Sequence, residues 1–245
     1  MILNLANYEA QARDAVKLFW RNREAAMAKQ VEFDNQDAGA RGAVTAGKNL
    51  DGFVSMVQSL VEANGLWDAE ICIEKKILVL PGFYRPTKEC DMLIMRRGQL
   101  VAALEFKSQV GPSFGNNFNN RSEEVMGSAH DLWTAYREGA FGDDAARPFL
   151  GWLMLVEECE VSTIPVKVAE PHFQVDPVFR LTSYIERYDI LCKRLVQEGL
   201  YTSTALMVSP REAVDDGRHR NMSDLTSLKT FVTEFAGHVA AMAAR

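Results

Sequence analysis

The sequence predicts an α/β (α+β) fold, one domain built on a mixed central β-sheet with helices on both faces. Three features carry that expectation. Apolar residues recur at helical spacing near both ends of the chain and in its middle. β-forming runs crowd the stretch from Ile71 to Lys107. Two later runs, Phe149 to Val156 and Thr204 to Val208, are almost continuously apolar, as strands covered on both faces are.

Taken in order, the first helix runs from Tyr8 to about Gln30, with Ala12, Ala15, Val16, Phe19 and Trp20 as its apolar stripe. After a polar loop, Leu50, Phe53, Val54, Val57, Leu60 and Val61 mark a second helix that Gly65 can end. A β-meander follows, with runs at Ile71–Ile73, Ile77–Leu80, Met92–Met95 and Leu100–Leu104. The link Arg96-Arg97-Gly98-Gln99 folds the last two runs into an antiparallel hairpin. A loop from Val110 to Asn120 and a helix from Arg121 to Gly139 come next. The strand at Phe149–Val156, a helix marked by Tyr184, Ile185, Leu191 and Leu195, the strand at Thr204–Val208 and a last helix marked by Leu225 through Val239 complete the chain. Helices that alternate with strands in this way layer onto a sheet.

Composition narrows the function. At 245 residues, with 47% apolar and 24% charged residues, the chain can bury a full core and does not belong to the disordered or low-complexity classes. No linker rich in Pro, Gly or Ser divides it, so one domain over 1–245 is expected, with N-terminal helices at about 8–65 and the β-meander at about 70–108. No run of about 18 apolar residues appears, and Met1 to Asn4 begin no signal peptide, so the expectation is a cytoplasmic protein with no membrane partner. Cys72, Cys90, Cys159 and Cys192 lack both zinc-ligand spacing and a disulfide framework. Net charge is −6 and pI about 5.4, which excludes nucleic-acid binding by bulk charge alone. Local basic clusters remain, at Arg85, Lys88, Arg96, Arg97 and Lys107, and at Arg218, His219 and Arg220.

Three strings invite a chemical reading. Gly42 to Asn49 imitates a phosphate-binding loop, but Asn49 replaces the hydroxyl residue that would hold magnesium, and no strand precedes it. Gly111-Pro112-Ser113-Phe114-Gly115 matches the nucleophile elbow of esterases, which requires a helix straight after the serine. Asn116, Asn117, Asn119 and Asn120 follow instead, and asparagine favours turns, so the elbow is set aside. The third string is Asp91 followed by Glu105-Phe106-Lys107. Residues two apart share a strand face, so Glu105 and Lys107 project together, and the hairpin brings Asp91 across to them. Two acids and a lysine are what phosphodiester hydrolysis uses. Asp91 and Glu105 suit Mg2+, while Lys107 can orient the attacking water and stabilise the transition-state anion, with a nearby metal lowering its pKa toward a base role. The competing reading of the same residues is a solvated Glu/Lys strand face.

Longer strings surround this trio. PGFYRPTKECD from Pro81 to Asp91, ALEFKSQVGPSFGNNFNNR from Ala103 to Arg121, and DLWTAYREGAF from Asp131 to Phe141 resemble the XhoI-type family of type II restriction endonucleases. The resemblance implies a restriction-endonuclease-like PD-(D/E)xK core with Asp91, Glu105 and Lys107 as its acid, acid and lysine. Cys90 stands where that motif has proline. It further implies Mg2+ dependence and a homodimer that cleaves double-stranded DNA at a palindromic site, CTCGAG in this family, in restriction-modification defence alongside a cognate DNA methyltransferase. Such nucleases often draw another acid from a nearby helix, for which Glu62, Glu123 and Glu124 are candidates. A palindrome suits two subunits about a two-fold axis. Asn116, Asn117, Asn119, Asn120 and Arg121 are candidate DNA contacts beside the scissile phosphate, because Asn reads adenine and Arg reads guanine in the major groove. Arg85 and Lys88 are further candidates. The same loop could instead satisfy its own backbone through Asx turns. Two rival functions stay open: a structure-specific repair or junction nuclease on the same core, and a catalytically inactive DNA-binding module.

Overall fold

In a computed structural model, residues 2–32 and 50–245 are described, with side chains from position 50 onward and before position 29. The elements in chain order are helices α1 (Tyr8–Glu32) and α2 (Asp51–Ala63), then strands β1 (Glu70–Cys72), β2 (Val79–Pro81), β3 (Thr87–Glu89), β4 (Met92–Arg96) and β5 (Gln99–Gln109). Helix α3 (Phe114–Arg137) leads to β6 (Phe149–Glu157), the short helix α4 (Glu160–Thr163), α5 (Tyr184–Gln197), β7 (Ser203–Ser209), β8 (Arg220–Asn221) and α6 (Leu228–Ala243).

One six-stranded sheet runs in the order β1-β4-β5-β6-β7-β8. β5, β6 and β7 are parallel, while β1, β4 and β8 pair antiparallel. The fold is thus α/β with a mixed sheet. Alternation along the strands splits the core in two. Leu104, Phe106, Leu153, Leu155, Ala205 and Met207 face α1, α2 and α6, whereas Ala103, Trp152, Met154, Leu206 and Val208 face α3 and α5. Every residue of β6 and β7 is buried, which explains their unbroken apolar runs.

The β4–β5 hairpin turns through Arg97 and Gly98, both at positive φ (51° and 78°). That pair of values belongs to the two-residue type I′ turn, whose twist matches its flanking strands. A bulge between Ile94 and Met95 adjusts the register, which places Met92 opposite Leu104.

Two expectations need correction. The four runs between Ile71 and Lys107 do not form one meander: β1 pairs with β4, while β2 and an unanticipated β3 form a separate two-stranded ribbon. Pro81 and Pro86 bracket the turn of that ribbon and shorten its strands, and the Ile77 end of the second run is a 3-10 turn. The Val110–Asn120 loop is also overturned, because α3 begins at Phe114. Phe114 and Val125, Ala129, Leu132 and Trp133 bury one face of α3 and overcome the low helix propensity of its four asparagines. The Gly42–Asn49 string lies outside the described residues.

Candidate active site

Asp91 immediately precedes β4, and continuing the Met92–Leu104 register sets it opposite Glu105 on β5. Glu105 and Lys107 alternate with Leu104 and Phe106, so they point to the α3 side of the sheet, near Val125 and Trp152. The Lys107 Nζ lies 2.7 Å from Asp91 Oδ2 and 2.7 Å from Glu105 Oε2. Asp91 Oδ2 also accepts the backbone N–H of Phe106 at 2.8 Å, which fixes the carboxylate across the hairpin. On the other Glu105 oxygen, Lys88 Nζ donates at 2.6 Å. Two lysines therefore balance two carboxylates. The cluster is sheltered on the Glu105 side, 5% exposed, and open to solvent at Asp91.

These environments act on protonation. Burial alone would lower the Lys107 pKa, but the charges of Glu105 and Asp91 and their hydrogen bonds outweigh it and raise it above the ordinary lysine value. Among the protein's own groups, Lys107 is thus an ammonium at neutral pH. Cys90, in the position of the motif's proline, is pushed up to about 12, chiefly by burial and then by the Glu105 charge, so it remains a neutral thiol.

Of the three candidate further acids, Glu124 on α3 approaches the cluster. Its Oε1 stands 3.8 Å from Lys107 Nζ, and its Oε2 accepts from Arg121 at 2.5 Å. Glu62 sits exposed on α2, against the opposite face of the sheet. Glu123 is exposed and pairs with neither lysine of the cluster.

Carboxylate oxygens are the hard donors magnesium takes, usually one or two of them with waters completing the shell. Asp91 and Glu105 already converge on one cationic point, so this donor set fits a magnesium ion. Among the described residues no group of three or more His, Cys, Asp or Glu is placed to hold a metal ion.

The other candidate contacts scatter. Asn116, Asn119 and Asn120 are exposed on the first turns of α3, Asn117 is half-buried, and Arg121 is engaged with Glu124. Arg85 Nε pairs with Asp131 Oδ2 at 2.7 Å. Lys88 belongs to the carboxylate cluster. Arg96 and Arg97 lie at the far end of the hairpin, paired with Asp68. Arg218 pairs with Asp216 and Arg220 with Glu158, so the basic runs do not merge into one cleft. A helix does follow Ser113, contrary to the ground on which the elbow was set aside. Yet Ser113 is exposed, and among the described residues no histidine hydrogen-bonds it, so no triad forms. Sequence reasoning missed Asp131, 3% exposed, which ties the β2–β3 turn to α3. Its place inside the DLWTAYREGAF string was the available signal.

A family model described as Restriction endonuclease XhoI matches residues 29–221. The chain belongs to the XhoI family of restriction endonucleases. Among curated relatives, it is 48% identical to the type II restriction enzyme XhoI of Xanthomonas vasicola over 211 residues, covering 86% of this chain and 84% of the relative. It is 56% identical to the type II restriction enzyme AbrI of Azospirillum brasilense over 174 residues, covering 71% and 78%. The type II restriction enzyme BstVI of Geobacillus stearothermophilus is 45% identical over 214 residues, covering 85% and 95%. No solved structure matches the chain significantly. Membership in the XhoI family makes the chain an enzyme, a restriction endonuclease, and the match spans the whole hairpin that carries Asp91, Glu105 and Lys107.

Proposed function

We propose that this chain is a Mg2+-dependent homodimeric enzyme that hydrolyses both strands of DNA at a palindromic site, CTCGAG by its family likeness, with Asp91, Glu105 and Lys107 as its cleavage centre. A cognate methyltransferase would protect the same site in the host. The observation that carries the centre is the convergence of Asp91 Oδ2 and Glu105 Oε2 on the Lys107 ammonium at 2.7 Å each. Asp91 and Glu105 would hold the metal, which when bound would neutralise charge developing on the transferred phosphoryl group.

The chain's own groups do the rest. The Phe106 N–H fixes Asp91 in place, so the two carboxylates meet without rearrangement of the backbone. Lys107, set between the two carboxylates, would reach the scissile phosphate, where it would stabilise transition-state negative charge and orient the attacking water. Lys88 balances the second oxygen of Glu105, so this sheltered acid is paired on both of its oxygens before DNA arrives. Trp152 and Tyr201 line the floor of the recess and limit water there.

The test combines cleavage and binding. Glu105→Gln and Lys107→Ala should each lower the cleavage rate by about 100-fold or more, while a duplex bearing the site still binds in Ca2+. Cleavage at the parent rate by either variant would overturn the assignment. Sequencing the ends of fragments from a Mg2+ digest identifies the site: discrete ends within CTCGAG support this reading, and cutting only at junctions supports the structure-specific rival. Binding without any nicking would make the chain an inactive DNA-binding module.

A further inference from the structure

Three aromatic rings stand in series on the surface beside the carboxylate cluster. Phe83 is 50% exposed and Tyr84 66% exposed. Their rings meet edge to face at 5.0 Å, and Tyr84 stacks on His130 at 5.5 Å with the planes 17° apart. The Tyr84 hydroxyl and His130 Nε2 share a hydrogen bond of 3.1 Å. Rings of this size dominate cores when a fold has use for them inside. These face solvent.

The turn that carries Phe83 and Tyr84 is nonetheless tied down. Buried Asp131 accepts the backbone N–H of Phe83 at 2.7 Å, that of Tyr84 at 2.9 Å, and Arg85 Nε at 2.7 Å. Gly82 leaves no room for a side chain, since a Cβ there would lie 2.4 Å from the Arg85 carbonyl oxygen and 2.9 Å from Asp131 Oδ2. Withdrawing a carboxylate from water is costly unless donors replace it, and here all three donors come from one surface turn. The arrangement fixes the direction of two exposed rings, which the core does not require.

Their position relative to the cluster follows from the chain. Lys88 lies three positions after Arg85, a reach of about 10 Å at most, and Lys88 touches Glu105. A groove of about 410 Å³ beneath Tyr84 and Arg85 has Glu124 on its wall, and Glu124 also borders the recess over Glu105 and Lys107. One continuous surface joins the rings to the proposed cleavage centre.

We propose that Phe83, Tyr84 and His130 form a stacking platform for one nucleobase of the DNA substrate, unstacked from the duplex beside the scissile phosphate. The proposal rests on the reading of Asp91, Glu105 and Lys107 as that centre. Every base presents a π-face, so a row of rings receives a base regardless of its hydrogen-bonding edge, and the contact offsets the cost of unstacking it. The protein-side geometry is set before DNA binds, because Asp131 has already fixed the turn.

Phe83→Ala and Tyr84→Ala lose only surface contacts and should melt within about 2–4 °C of the parent, and should each weaken binding of the site-bearing duplex in Ca2+ by about 5- to 150-fold. Tyr84→Phe should retain most of the affinity. With 2-aminopurine at each purine position in and beside the site in turn, the parent should shift the fluorescence at one position away from its duplex value, and the Phe83→Ala/Tyr84→Ala double variant should not. Unchanged binding by both single variants overturns the proposal, and so does weakened binding with duplex-like fluorescence at every position. Full cleavage by Glu105→Gln would instead remove the centre, and the fluorescence would still show whether a base meets the rings.

Discussion

Asp131 shows how one side chain can decide the shape of a working surface. Burial would raise its pKa, but the Tyr84 and Phe83 N–H groups and the Arg85 guanidinium together hold it below the usual carboxylate range. A depressed folded-state pKa contributes stability that is present above the unfolded value, about 3.9, and is lost as pH falls through the folded one. Asp131→Asn should therefore cost about 1–3 kcal/mol at neutral pH, and the gap to the parent should close as pH drops below about 4. Thermal melts of both proteins from pH 7 to pH 3 check this, and a gap that stays constant would show that the charge is not what holds the turn. Lys107 follows the opposite balance, with two carboxylates overriding burial to keep it charged. Its spacing from Glu105 was legible because strand alternation is a local rule. The direction of its pKa was not, since that depends on how closely Asp91 and Glu105 approach it.

Helix α3 is the element on which the site depends. It supplies Glu124 to the cluster, Asp131 and His130 to the β2–β3 turn, and four asparagines near its N-terminal end. Reading those asparagines singly favours a loop; reading Phe114 with Phe118, four residues on, favours a helix, and packing of that face prevails. Exposed Asn119 and Asn120 contribute little to the helix they occupy. Replacing both by alanine should raise stability by about 1 kcal/mol, or about 2–4 °C in Tm for a chain of this size, while weakening binding to the cognate duplex. A stability gain with unchanged DNA affinity would show that these asparagines are helix surface and not DNA contacts. β2 and β3 illustrate the converse case. Strands of three residues carry too little periodicity to announce themselves, yet their ribbon delivers Lys88 to Glu105 and the aromatic turn to the surface.

At the scale of the molecule, the parallel strands β5, β6 and β7 form a covered scaffold, and the cluster sits on one face of it beneath α3. Among the described residues no helix is long and apolar enough to cross a membrane. Cutting both strands of a palindrome calls for two such centres related by a two-fold axis, so sedimentation at micromolar concentration should give a dimer that converts plasmid to linear DNA in one binding event. A monomer that yields only nicked circles would refute that stoichiometry. The sequence by itself determined the layered α/β class, the β4–β5 hairpin and the family, because hydrophobic period, turn chemistry and long residue strings are all local properties of a chain. Only the tertiary structure decided which acid of α3 joins the cluster, that Arg96 and Arg97 leave it, that Lys88 enters it, and that Asp131 anchors an exposed aromatic turn. Each of those outcomes depends on side chains far apart in sequence meeting at hydrogen-bond distance, and that distance is set by how the sheet and α3 pack.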